Sequence, residues 1–167
     1  LYDEYGDIYL AELGLDNTLQ MSREDLIHQF IDALKEEFYL EDLIGCGLGD
    51  DWEDYIKGQT LKPLIDKILA EIEQAKCISR NDSENRRKAG LSLINNTKES
   101  LESLRNVFGD ENEPQYQMIA DKLGLEILQC GIDYYNNSDD DYAPYNAMEI
   151  QNYASKIVVG SMARQRV

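Results

Sequence analysis

Apolar residues recur three and four positions apart along nearly the whole chain, the spacing that lines one face of an α-helix. Near the start, Tyr2, Tyr5, Tyr9 and Leu13 keep it, and Gly14 stands where a left-handed C-terminal cap belongs. That predicts a short helix over 3–13 with a tyrosine docking face. Ser22 before Arg23-Glu24-Asp25 reads as an N-cap with acids in the first turn, and Leu26, Phe30, Leu34 and Phe38 then predict an amphipathic helix over 23–39. The glycines of Gly45-Cys46-Gly47-Leu48-Gly49 break the pattern and set a lobe boundary. Asp50 or Asp51 then caps a short helix carrying Trp52, Tyr55 and Ile56.

From Thr60 the stripes lengthen. Thr60 reads as the cap of a new helix with Pro63 in its first turn, and Leu61, Ile65, Ile68, Ile72 and Ala75 form its buried side. A polar break at Arg80-Asn81-Asp82-Ser83 leads to a second long helix whose seam is Gly90, Ile94, Thr97, Leu101, Leu104 and Phe108, ending at Gly109. After Pro114 comes the most apolar segment. It has one face of Tyr116, Ala120, Leu123, Ile127, Cys130 and Tyr134 and another of Leu125, Leu128, Ile132 and Tyr135, so it is expected in the middle of a bundle. Through Tyr142 and Pro144 the chain reaches a last helix with Ala147, Ile150, Ala154, Ile157 and Ser161 inward, its small residues allowing close approach.

No segment alternates as a strand does. The fold expected is all-α, a helical bundle of about five to six antiparallel amphipathic helices, divided into an acidic N-terminal helical lobe over 1–49 and a bundle core over 50–167. The chain begins at Leu1 and stops in a helical-looking stretch, so it is expected to be a piece of a longer protein.

Charge adds an asymmetry to this picture. Residues 1–59 hold 16 acids and 3 bases, 60–108 hold 7 and 9, and 109–167 hold 10 and 4, for a net charge of −17. Such a field repels nucleic-acid phosphates and anionic membrane surfaces and favours cationic partners. No apolar run is long enough to cross a membrane. Cys46, Cys77 and Cys130 are far apart and odd in number, which predicts reduced thiols in a cytoplasmic protein, with Cys77 and Cys130 as small core residues.

The motifs that carry chemistry are weak. Gly45-x-Gly47-x-Gly49 lacks a preceding strand and is followed by Asp50-Asp51, which repel phosphate. Asp25 and His28 have the spacing of one half of a carboxylate-bridged metal site, but the chain holds one histidine. Asn137, Asp139 and Asp141 alternate as in a calcium loop, yet Tyr142 and Met148 replace its glycine and its glutamate. No catalytic, cofactor-binding or metal residues are assigned, and no cofactor is expected.

The block from Ile119 to Ser138, followed by Ala147 to Ala154, resembles the helical-repeat region of bacterial proteins of co-chaperone or tetratricopeptide type, over roughly residues 88–163. Gly131, Tyr134 and Ala143 fall at the repeat's offsets, while Ile127, Cys130 and Ser155 replace its tryptophan, leucine and closing proline. The resemblance implies a helix-hairpin interaction module and a J-domain or repeat array elsewhere in the parent protein.

The function expected is therefore a non-catalytic protein-interaction or scaffold domain. The alternatives are a carboxylate-based metal-dependent enzyme domain and an acidic mimic of nucleic acid. The candidate contact site is the connection before the last helix, where Tyr142 and Tyr145 stand beside Asp139, Asp140 and Asp141. Its expected partner is a basic peptide or protein surface, and neither nucleic acid nor membrane.

Overall fold

A computed structural model describes residues 50–167 together with Asp25, Gln29 and Ala33, which are helical and exposed. The helix expected over 3–13, the rest of 23–39, the Gly45–Gly49 break and the 1–49 lobe lie outside the described residues. The chain divides into two compact units, Leu1–Ile56 and Lys57–Val167. Over residues 50–167 five helices follow one another: α1 (Asp50–Lys76), α2 (Ser83–Phe108), α3 (Pro114–Asn137), α4 (Ala143–Ile157) and the single turn α5 (Ser161–Arg164). They occupy 81% of residues 50–167, and no strand occurs among the described residues. The fold is an all-α bundle.

Local chemistry accounts for most of the boundaries. Asp82 caps α2, its carboxylate accepting from the Asn85 amide at 3.2 Å. Gly109 ends that helix at φ +70°, a conformation that costs a side-chain-bearing residue energy, and its N–H donates to the Arg105 carbonyl at 3.0 Å. The two connections on either side of α3 are built alike. Asp110 accepts from the Asn112 amide at 2.9 Å four residues before Pro114, and Asp140 accepts from the Tyr142 amide at 2.9 Å four residues before Pro144. In each, an aspartate folds the chain back on itself and a proline, whose missing N–H would have no partner there, opens the helix.

Three expectations are corrected. The short helix around Trp52 and the helix capped by Thr60 are one continuous α1, passing through Gly58 and Pro63. The stripe Ile56, Thr60, Leu64, Ile68, Ile72 runs unbroken through the apparent gap, and its burial outweighs the roughly 1 and 3 kcal/mol by which glycine and proline oppose a helix interior. Cys77 is not in the core but exposed in the turn after α1; Cys130 is buried, and both are free thiols. The last helix stops at Ile157, so Ser161 does not face inward but opens α5 and is exposed. The expected α2 seam holds at Gly90, Thr97, Leu101 and Leu104, while Leu93 and Val107 are buried beside it and Ile94 and Phe108 are only half-buried.

Contacts give the packing directions. Glu71 meets Asn96 and Ala75 meets Arg86, so α1 and α2 are antiparallel; Arg86 meets Asp133 and Phe108 meets Tyr116, so α2 and α3 are too. Against α4, α3 presents Gly124 and Gly131, two turns apart. A methyl group on Gly124 would lie 2.5 Å from Val158, and one on Gly131 would lie 3.3 Å from Ile150 and 3.4 Å from the Ala147 carbonyl. The α3–α4 pair is therefore drawn close by the absence of side chains on one helix and by Ala147 and Ala154 on the other.

The core is mostly aliphatic, with Ile68, Ile72, Leu93, Leu104, Leu123, Ile127 and Ile150 at 0–1% exposure. Each such side chain contributes on the order of 1.5–3 kcal/mol by leaving water. A charged pair, Arg86 and Asp133, is set into it. Arg86, 2% exposed, donates to the Ala75 carbonyl at 2.7 Å and to Glu126 at 3.1 Å, and its Nε lies 2.9 Å from Asp133 Oδ2. That last contact is Coulombic more than hydrogen-bonded, because the N–H is not aimed at the oxygen. Arg86 thereby satisfies a carbonyl in the last turn of α1 and two carboxylates of α3 from one position on α2.

Candidate functional site

The site begins with the second apolar face of α3. Leu128, Gly131, Ile132 and Tyr135 recur at helical spacing, and so do Pro144, Ala147, Met148 and Gln151 of α4. Because glycine brings the two helices close, the larger side chains flanking the contact rise on either side of it. The result is an open groove of about 460 Å³ between α3 and α4. Ile132 is 41%, Tyr135 53% and Met148 59% exposed, large apolar surfaces in contact with water.

The connection before α4 forms the end of this groove. Its order comes from Tyr134, which is 2% exposed: its hydroxyl donates to Asp140 Oδ2 at 3.0 Å and accepts from the Asn146 amide at 3.0 Å, while Arg87 lies over its ring at 5.8 Å. Asn137 ties the same end to the α1–α2 turn, donating to the Arg80 and Asp133 carbonyls at 3.1 and 2.8 Å.

The five residues singled out in the sequence thus divide by role. Asp140 holds the turn, accepting from Tyr134 and from the Tyr142 amide. Asp139 and Asp141 are exposed, as are the rings of Tyr142 and Tyr145, at 69% and 74%; these tyrosines lie close in sequence to Pro144, which lines the groove, but do not line it themselves. Tyr145 stands one turn before Met148. Sequence reasoning missed Met148, and it took Ile132 and Tyr135 for residues covered by a neighbour. The signal was present in the second α3 stripe; what covers a stripe is not.

Groups with chemical potential lie elsewhere and are closed off. Glu126 and Asp133 converge on Arg86 with side chains 11% and 8% exposed, and the Cys130 thiol beside them is pushed up to about 12, chiefly by burial. A thiol so raised stays protonated and is a poor nucleophile. Among the described residues no group of three or more His, Cys, Asp or Glu is placed to hold a metal ion, and no helix is long and apolar enough to cross a membrane. His28 lies outside the described residues. Comparison with family models, with curated proteins and with solved structures returned no match for this chain.

Proposed function

We propose that this chain is a non-catalytic helical interaction domain whose α3–α4 groove receives an amphipathic, basic segment of a partner protein. The observation that carries the reading is the groove itself, an apolar channel bounded by Ile132, Tyr135 and Met148, with the exposed Asp139 and Asp141 in the connection that joins its two helices. An amphipathic helix lays its apolar side into such a channel through anchors at i, i+3, i+4 and i+7. Cations on its polar side would meet Asp139, Asp141 and Glu149, while the rigid rings of Tyr142 and Tyr145 supply area at low entropic cost. The antiparallel helix hairpins agree with a module of tetratricopeptide type. With Cys77 and Cys130 both free, a reducing, cytoplasmic setting suits the same reading.

The test is titration of the isotope-labelled chain with an amphipathic leucine–lysine helix, followed by amide shifts. The expected result is saturable binding that weakens as salt rises, with shifts gathered on 128–151. A glutamate-bearing counterpart of the same apolar pattern should bind far more weakly. Equal binding of the two, or shifts spread over surfaces away from α3 and α4, would contradict the proposal.

A further inference from the structure

At the opposite end of the α3–α4 pair, about 24 Å along the axis from Ile132, the chain builds a second and different cavity. It is small, about 200 Å³, and is lined by the C-terminal half of α2, the start of α3, the end of α4 and α5. Four cations face it, Lys98, Arg105, Lys156 and Arg164, against the two acids Glu102 and Glu111. In a chain with net charge −17 this is a local reversal of sign. Of the four, Arg105 is paired with Glu111. Lys98 and Lys156 form no ion pair among the described residues, and Arg164 spends only its Nε, donating to the Val158 carbonyl at 3.2 Å. That bond fixes the guanidinium and leaves its terminal nitrogens unspent.

Two phenols complete the lining. Tyr116 is 5% exposed and Tyr153 half-buried, and neither hydroxyl has a hydrogen-bond partner among the described residues. Neither oxygen is sealed from solvent, so both hydroxyls stay available to donate to an occupant of the pocket. Both phenols are held above the ordinary tyrosine value by burial, Tyr116 with opposing influences from Arg105 and Glu111, and they remain donors at neutral pH.

We propose that this pocket binds the dianion of a phosphate monoester. Two uncancelled positive charges match two negative ones, and the guanidinium fork, two ammonium groups and two phenols supply donors around a tetrahedral acceptor. The volume is below the roughly 300–1,000 Å³ of sites for drug-sized ligands, which limits the occupant to a phosphate on a small carrier or on one side chain of a peptide. The chain's overall acidity does not forbid it. At physiological salt a charge is screened beyond about 8 Å, so the cations at the pocket outweigh distant carboxylates.

The experiment uses the whole chain and four probes: glycerol 3-phosphate, glycerol, a phosphoserine pentapeptide and the same peptide unphosphorylated. Saturable amide shifts are expected around Lys98, Tyr116 and Tyr153 with phosphorylated probes and not with their counterparts. Lys98→Gln and Lys156→Gln, both exposed and neutral to the fold, should each weaken binding about tenfold, and Tyr116→Phe by a smaller factor. Binding of glycerol 3-phosphate alone assigns the site to small phosphorylated molecules; binding of the phosphopeptide as well assigns it to phosphorylated protein segments. No saturable response to either up to about 10 mM, or an affinity unchanged in both lysine variants, overturns the proposal.

Discussion

The two apolar faces of α3 are alike in composition and end in different surroundings. Tyr116, Ala120, Leu123, Ile127, Cys130 and Tyr134 are all at 5% exposure or less, packed in the core with α1 and α2. Leu128, Ile132 and Tyr135 on the other side run from 7% to 41% to 53% exposed as α3 proceeds. Periodicity alone treats the faces as equals. The difference is made by α4, which has 15 residues against the 24 of α3 and is drawn onto Gly124 and Gly131 rather than over the larger side chains beside them. A helix that packs on glycine approaches closely and covers little. Burial of the first face holds the bundle together, and exposure of the second leaves a surface for something else.

Four changes would break or sharpen this contrast. The largest effect is expected where the buried face meets charge: Arg86→Ala strands Glu126 and Asp133 without their counter-ion and should cost about 3–5 kcal/mol, read from the urea midpoint. Ile127→Ala, at 0% exposure, should cost about 2–5 kcal/mol through lost transfer energy and the cavity left behind. Gly124→Ala should cost about 1–3 kcal/mol, since its methyl would lie 2.5 Å from Val158 and push α4 away.

A smaller effect is expected from alkali. The Cys130 thiol, ordinarily near 9, is pushed up to about 12, so across that window the unfolded chain releases a proton that the folded chain keeps. Stability present below pH 9 is therefore lost as the pH rises towards 12, and the raised Tyr116 and Tyr153 act in the same direction. Urea midpoints measured across that range should fall, and fall less steeply in Cys130→Ala. At neutral pH a thiol reagent should modify Cys77 in the folded chain and spare Cys130.

Much of the bundle was legible in the residues themselves. Asp82 before α2, Gly109 after it, Pro114 and Pro144 before α3 and α4, and the small inward residues Ala147 and Ala154 all act locally, so their meaning survives without a structure. The continuity of α1 was hidden because Gly58, Thr60 and Pro63 are local stop signals that a longer stripe overrides. Arg86 was hidden differently. It stands in the run Asn85-Arg86-Arg87-Lys88, which reads as solvated, and its partners on α3 are 40 and 47 positions away. The candidate site was half visible: the tyrosines and acids of 139–145 were singled out, but the groove between the helices they connect needs both of those helices, and the cationic pocket draws on four. Neither assembly leaves a contiguous trace in the chain.

The central claim is that one apolar face of α3 serves stability and the other serves contact. Its most direct test measures both quantities on the same two proteins, Ile127→Ala and the double variant Ile132→Ser/Tyr135→Ser. Urea midpoints and affinity for the leucine–lysine helix are the readouts. The account predicts that Ile127→Ala loses about 2–5 kcal/mol and, under conditions where it remains folded, still binds. It predicts that the double variant stays within about 0.5 kcal/mol per site and loses binding at least about tenfold. A double variant that unfolds as readily as Ile127→Ala while keeping its affinity for the helix would contradict it.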